Sequence, residues 1–301
     1  MSANALSGPA YAPAGVALKQ TVKEMLSSGV SLNCTTENYT LDCLREADTY
    51  AFQTTSFNST LNTWFAPSID NITRFSNYTN RFLNGHYPKS LPLLVGNSDQ
   101  EGEIFGYVYG SENTNFSSWI HTFDADLAFV PTDELISAYH KDDYSSVSLM
   151  SGSSYGDARF LCATDALVDL RAAKQPTWIY RWFGKYSNVL PIPNLGPSHG
   201  SEVPFFHGGN ECFSLLEGVT EDEQQLADHI HRWFVAWIKN PAAGPGWEQA
   251  RPVNGPLARV GVPGHELKTV IGKTGAYNSR CQKVFKPNYP RYPVVQNPVQ
   301  T

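Results

Sequence analysis

The chain has little positive charge, and its lysines and arginines are scattered rather than clustered. They number 22 against 28 acidic residues, which gives a net charge of −6 at pH 7 over 301 residues. Because no basic patch is present, we do not expect nucleic acid or an anionic membrane surface as a partner. No apolar run reaches the roughly 18 residues that a membrane-spanning helix needs, so no transmembrane segment is expected.

The first 20 residues lack the positive start and the apolar core of a signal peptide. Six N-x-S/T sequons nevertheless cluster near the N-terminus, a pattern typical of a glycosylated, secreted protein. Their asparagines are Asn33, Asn38, Asn58, Asn71, Asn77 and Asn115. We therefore predict an extracellular glycoprotein whose N-terminal portion, including any signal peptide, is missing from this sequence.

Neither a metal nor a cofactor is expected. His229 and His231 lie two residues apart on a predicted helix and point to different faces, so they cannot chelate one ion together. No internal repeat is visible, and no linker divides the chain. Alternating helix and strand patterns predict one α/β domain over residues 1–285, followed by an extended, proline-rich tail over 286–301.

A histidine stands in a segment rich in residues that break regular structure. His199 follows Pro193, Gly196 and Pro197, and the apolar run 203–206 behind it predicts an anchor in the core. A loop tip on a rigid base can present a catalytic imidazole. The alternative is an ordinary surface histidine in a turn.

An acidic loop follows an apolar run in the first half of the chain. The pattern predicts a buried strand over Leu91–Val95, a turn at Gly96, and then a loop that carries Glu101. A carboxylate presented just after a buried strand is a second candidate for a catalytic group.

Together the two stretches resemble the type-B carboxylesterase/lipase family, which includes the cholinesterases and has the α/β-hydrolase fold. That family has an acid in an N-x-x-x-E-G loop and a histidine in an H-G-x-E loop; here the first motif begins at Asn97 and the second at His199. Further matches, in the family's order, are residues 64–70, 155–160 and 244–247. The resemblance runs from about residue 30 to residue 285 and is to a fungal-like secreted member.

The resemblance implies the C-terminal portion of an α/β-hydrolase fold, a mixed central sheet flanked by helices, with the N-terminal half missing. It also implies hydrolysis of small-molecule or lipid carboxylic esters by a Ser-Glu-His triad, with Glu101 as the acid and His199 as the base. The nucleophilic serine and the oxyanion loop have no counterpart here, so the chain alone is expected to be inactive without that missing half. The alternative is a non-catalytic, cholinesterase-like binding or adhesion module.

The same resemblance supports a pairing of the five cysteines. Cys34 would bond to Cys43 across a short loop, Cys162 would bond to Cys281, and Cys212 would stand alone. The competing interpretation is five reduced thiols in a cytosolic protein.

Two further motifs imitate catalytic ones. Residues 152–156 fit the nucleophile-elbow pattern G-x-S-x-G, but no buried strand precedes Ser154 and its place in the chain order is wrong, so we reject it as the nucleophile. The resemblance makes this segment the loop that enters the helix of Cys162. Residues 207–210 imitate a glycine-rich oxyanion loop, and are expected to form a turn.

The remaining expectations concern helices and a second strand. Helices are predicted over residues 13–28, 41–51, 133–138, 157–173 and, begun by a capping box of Thr220 and Glu223, up to about residue 239. A central strand is predicted over Trp178–Phe183.

Overall fold

A computed structural model describes residues 41–51, 72–73, 75, 78–111, 114–123, 130–207 and 218–288. The chain divides into two compact units, one of residues 9–80 with 293–301 and the other of residues 1–8 with 81–292. Several predictions fall on residues outside the described ones: the helix over 13–28, Cys34, Cys212, five of the sequon asparagines, and the segments 64–70, 208–210 and 289–301.

In the smaller unit, helix α1 spans Leu41–Glu46. The helix predicted over 41–51 is interrupted after α1 and resumes at residues 49–51, where the Asp48 carboxylate accepts the Ala51 N–H at 2.8 Å. Cys43 is disulfide-bonded, and its predicted bond to Cys34 stays a prediction.

Nine described α-helices and four described strands follow α1 along the chain. They are α2 Tyr78–Leu83, β1 Leu93–Ser98, α3 Glu103–Tyr109, α4 Phe116–Phe123, α5 Thr132–Ala138, α6 Val147–Gly156, α7 Cys162–Ala172, β2 Thr177–Trp182, α8 Val203–His207, α9 Glu221–Lys239, β3 Pro256–Val260, β4 Val270–Lys273 and α10 Lys286–Asn288. A π-helical turn, Asp157–Leu161, joins α6 to α7.

The four strands form one mixed sheet in the order β1-β2-β3-β4. β1 and β2 are parallel, with Val95 opposite Ile179, and β2 and β3 are parallel, with Tyr180 opposite Ala258. Only β4 runs antiparallel to its neighbour. The carboxyl ends of the three parallel strands therefore meet at one edge of the sheet, which is where α/β proteins place their sites.

Helices cover both faces of the sheet. On one face Val95, Ile179 and Leu257 pack in a buried cluster with Val168 of α7. The opposite face packs against α8 and α9; its buried residues are Tyr180, Trp182, Ala258 and Val260 from the sheet and Phe205, Phe206, Leu226, Ala227, Ile230 and Trp233 from the helices. Side chains alternate between faces along a strand, so the predicted α/β sandwich follows from this pattern.

A third buried cluster surrounds the disulfide between Cys162 and Cys281, whose Cα atoms lie 4.8 Å apart. The bond joins the start of α7 to the π-helical turn before α10, and this predicted pairing is present. Lys286, the residue after this turn, forms ion pairs with Asp165 at 2.5 Å and with Asp169 at 2.6 Å. Residues 286–288, expected to begin the extended tail, are helical instead.

Helix α9 begins as predicted. The Thr220 hydroxyl accepts the Glu223 N–H at 3.3 Å, and a Glu223 carboxylate oxygen accepts the Thr220 N–H at 2.7 Å. The inward stripe is Leu226, Ala227, Ile230 and Trp233. Ile238, in the last turn of the helix, is 55% exposed.

The bounds of both predicted strands differ from the prediction. β1 begins at Leu93 and continues to Ser98, so Gly96 lies inside the strand rather than in a turn. A Cβ at Gly96 would lie 2.5 Å from the ring of Tyr180 on β2, so the glycine accommodates a neighbouring side chain. β2 ends one residue earlier than predicted, at Trp182.

Candidate active site

The acid candidate lies in a turn directly after β1, at the carboxyl edge of the sheet. We call residues 99–103 the acid turn. The Glu101 side chain is fully buried, and its Oε1 accepts the backbone N–H of Ser98 at 2.8 Å. This bond fixes one carboxylate oxygen and leaves Oε2 pointing to a different partner.

That partner is His199, 98 residues away in the sequence. Its Nδ1 lies 2.7 Å from Glu101 Oε2, and its backbone N–H donates to the Glu101 carbonyl at 3.3 Å. A carboxylate can only accept, so Nδ1 carries the proton and Nε2 is left with a free lone pair. The His199 side chain is 37% exposed, which leaves the imidazole open to a reacting group.

The surroundings make this imidazole more basic. The hydrogen bond that His199 donates to Glu101 raises the pKa of His199, burial lowers it, and the charges of Glu101 and Glu202 raise it further. The ring also lies beside two aromatic rings, with centroids 4.8 Å away for Phe160 and 5.5 Å away for Phe105. The site therefore combines an imidazole whose pKa is raised with an apolar wall.

Residues 196–202, which we call the histidine loop, are tied to the acid turn along their length. The Gln100 N–H donates to the Pro197 carbonyl at 3.0 Å. At the far end of the loop, the Ser98 hydroxyl donates to the buried carboxylate of Glu202 at 3.1 Å. The two segments therefore hold each other in register.

The end of β2 supports both segments. The Asp99 N–H donates to the Trp182 carbonyl at 2.8 Å, and the Trp182 indole donates to the Ser201 hydroxyl at 3.1 Å. Directly behind the histidine loop, Phe205 and Phe206 of α8 are buried, as expected of an anchor. The loop that carries His199 therefore stands on a buried base.

The segment that imitates a nucleophile elbow is part of α6, not the loop predicted there. Ser154 is fully buried, and its hydroxyl donates to the Ser151 carbonyl at 2.8 Å within the helix. The glycines have a packing role instead. A Cβ at Gly102 would lie 1.8 Å from the Gly152 carbonyl, and one at Gly156 would lie 2.4 Å from the Gly102 nitrogen. They let α6 lie directly against the acid turn, a contact that sequence reasoning missed.

Within the described part of the chain, no group of histidine, cysteine, aspartate or glutamate side chains is placed to hold a metal ion. No described helix combines the length and the apolar character that crossing a bilayer requires. Asn115, the one sequon asparagine in the described residues, is exposed just before α4.

Comparisons with known proteins find two fungal relatives, a lipase and an esterase. A scan against protein-family models finds no match. The chain is 28% identical over 189 residues to Secreted lipase 5 of Gibberella zeae, and 21% identical over 207 residues to the chlorogenic acid esterase of Aspergillus niger. These alignments cover 60% and 68% of this chain, but only 30% and 33% of the two relatives.

Solved structures agree on the fold. A PNB esterase matches with a TM-score of 0.65 at 16% identity, over 91% of this chain and 55% of that one. A thermophilic PNB esterase matches with a TM-score of 0.63 at 15% identity, again over 55% of its chain. The chain thus spans about a third of its curated relatives and just over half of these structures. The chain is similar in sequence to one fungal secreted lipase and one fungal esterase, and it has the α/β-hydrolase fold of the PNB esterase structures.

Proposed function

We propose that this chain carries the acid and the base of a Ser-Glu-His triad in a carboxylic ester hydrolase. The observation that supports this most directly is the 2.7 Å contact between His199 Nδ1 and the buried carboxylate of Glu101. The names of the two relatives, a lipase and an esterase, favour this function over a non-catalytic adhesion module.

In the proposed reaction, His199 Nε2 takes the proton of a serine hydroxyl as that oxygen attacks the ester carbonyl. The resulting imidazolium then gives the proton to the leaving alcohol, which leaves the acyl group on the serine. A water, whose proton His199 takes, then attacks this acyl group and releases the carboxylic acid and the free serine. Glu101 keeps the proton on Nδ1 and stabilises the imidazolium. The raised pKa of His199 is consistent with this role.

The nucleophile is proposed to be a serine outside the described residues. Ser154 is unsuitable because its hydroxyl is buried and already donates within α6. The relatives and matched structures extend well beyond the span of this chain. We propose that the serine and the oxyanion donors belong to that further part of the fold, and that residues 1–301 alone hydrolyse esters at close to the uncatalysed rate.

A chimera tests this function. The part of Secreted lipase 5 outside the aligned region would be joined to this chain, and turnover of p-nitrophenyl esters of different chain length would be measured. We expect His199→Gln and Glu101→Gln each to lower kcat by a factor on the order of 10⁴ or more. His231→Gln on α9 and Ser154→Ala are the matched controls, and both should keep the activity of the chimera.

Two results would contradict the proposal. One is a chimera that melts cooperatively and hydrolyses esters equally well after His199→Gln. The other is activity that Ser154→Ala abolishes in residues 1–301 alone, because the nucleophile would then be the helical serine.

We also propose that the protein is extracellular and glycosylated at its sequons. The relative from Gibberella zeae is named a secreted lipase, and the exposed position of Asn115 is compatible with an attached glycan. Expression with a secretion signal in a fungal host, followed by enzymatic deglycosylation, should lower the apparent mass. Asn115→Gln should reduce the loss of apparent mass on deglycosylation by the mass of one glycan.

A further inference from the structure

Three buried carboxylates lie around the histidine loop, and two of them, Glu103 and Glu202, have no part in the triad. Glu101, Glu103 and Glu202 are 0%, 6% and 4% exposed. The charges of Glu101 and Glu202 raise the pKa of His199. Glu103 instead faces the start of the loop, where its Oε2 accepts the N–H of Gly196 at 3.3 Å.

Gly196 is a point where the loop presses on the acid turn. A Cβ at this residue would lie 1.2 Å from Oε1 of Gln100, so only glycine fits against that side chain as it stands. The next residue, Pro197, accepts the Gln100 N–H at 3.0 Å. The Glu103 carboxylate therefore holds the loop three residues before His199, on the entry side, while Glu202 holds the exit side.

Burial and the charged groups around Glu103 shift the pKa of its carboxyl group. Burial raises the pKa of Glu103, and the hydrogen bond from Gly196 opposes that rise. Asp99 of the same turn raises the pKa further, and Lys185, from the segment after β2, lowers it. When the pKa of an acid is raised in the folded state, its ionised form lowers the free energy of unfolding. Protonation of the acid restores that free energy.

We propose that Glu103 is a positioning residue for the acid–histidine pair. Its carboxylate holds Gly196, and through Gly196 the histidine loop, so that His199 Nδ1 stays on Glu101. This hold weakens when Glu103 takes up a proton, because a charged acceptor binds an N–H more strongly than a neutral one. The proposal rests on the function proposed above, since the position of His199 matters to catalysis only if His199 is the base.

Proton NMR of residues 1–301 tests the idea without needing activity. A proton on His199 Nδ1 shared with a buried carboxylate gives a low-field resonance, which His199→Gln assigns by removing it. We expect Glu103→Ala to broaden or abolish this resonance and to move the pKa of His199 toward its ordinary value of about 6.5. Glu103→Gln, whose carbonyl still accepts a hydrogen bond, should give an intermediate result. The wild type should approach the Glu103→Gln spectrum as the pH falls through the pKa of Glu103.

Asp99→Asn is the matched control. It removes one negative charge from the same turn without touching the bond to Gly196, so it should leave the low-field resonance in place. Melting temperature separates positioning from a purely structural role. At pH 7 the melting temperature of Glu103→Gln should equal or exceed that of the wild type, because the variant no longer buries a charge.

The possible outcomes are distinct. If the wild type shows the resonance and both Glu103 variants keep it with an unchanged His199 titration, Glu103 does not position the pair, and the proposed function is unaffected. A fall in melting temperature without any change at His199 would also overturn the positioning role. If the folded wild type shows no such resonance, both proposals fail. Should Glu103→Ala not fold, the titration of Glu103→Gln decides.

Discussion

Replacing Gly156 by alanine tests the direct contact between α6 and the acid turn. The new Cβ would lie 2.4 Å from the nitrogen and 2.7 Å from the Cα of Gly102. Both are backbone atoms, so rotation of a side chain cannot relieve the clash. Gly156 has a φ of −60°, which alanine adopts freely, and alanine favours a helix over glycine by about 1 kcal/mol. Any loss of stability therefore comes from the contact itself.

The expected loss of stability is the difference between two opposing contributions. Overpacking a close contact costs about 1–3 kcal/mol, and a backbone-on-backbone clash belongs at the upper end of that range. After the gain in helix propensity, we expect a net loss of about 1–2 kcal/mol. For a unit of roughly 200 residues this lowers the melting temperature by about 2–8 °C. Since Gly102 adjoins Glu101, we also expect the Nδ1–H resonance of His199 to weaken.

Thermal melts followed by circular dichroism, with proton spectra of the same samples, provide the measurement. Ser154→Ala is the control, because it changes a buried residue of the same helix but only removes a hydroxyl, and it should alter stability by about 1 kcal/mol or less. A melting temperature for Gly156→Ala at or above that of the wild type, with the His199 resonance intact, would refute the reasoning about the contact.

Three more expected results concern pH and stability. The pKa of His199 is raised in the folded state, so its bond to Glu101 stabilises the fold most below about pH 6.5. This stabilisation is lost as the pH rises through the folded-state pKa of His199. His199→Gln should therefore lower the melting temperature clearly near pH 5.5 and little near pH 9. Thr220→Ala removes the cap of α9 and should cost about 1 kcal/mol in urea unfolding, whereas Thr220→Ser should cost much less. Replacing Cys162 and Cys281 by alanine opens a long loop and should cost about 2–5 kcal/mol, and an unchanged denaturation midpoint would show that the bond does not stabilise the unit.

Some of this molecule was predictable because it depends on neighbours in the sequence. The capping box at Thr220 and Glu223 involves atoms three residues apart, so the pattern alone locates the start of α9. The strand before Glu101 was predictable from its apolar run, although its end was not. Tyr180 of β2 covers Gly96, so the residue that seemed to mark a turn lies within the strand.

The acid–histidine pair was predictable only in part from the sequence. Its members were recognised from two short motifs that resemble those of a known family, and neither composition nor periodicity would have joined residues 98 positions apart. The same motif-based reasoning rejected Ser154 as the nucleophile, but it placed the serine in a loop. Its helix was missed because the segment is polar and serine-rich, with no clear apolar stripe.

The sequence by itself determined where α9 begins, the apolar runs of β1 and β2, and the candidates Glu101 and His199, because these are expressed in local patterns. It did not predict α3, α4, α6, β3 or β4. Only the tertiary structure decided that Glu101 and His199 meet, that Glu103 reaches Gly196, and that the glycines of α6 pack on the acid turn. Such contacts join distant segments, and their geometry is set by how parallel strands align their carboxyl ends and by how closely two backbones approach.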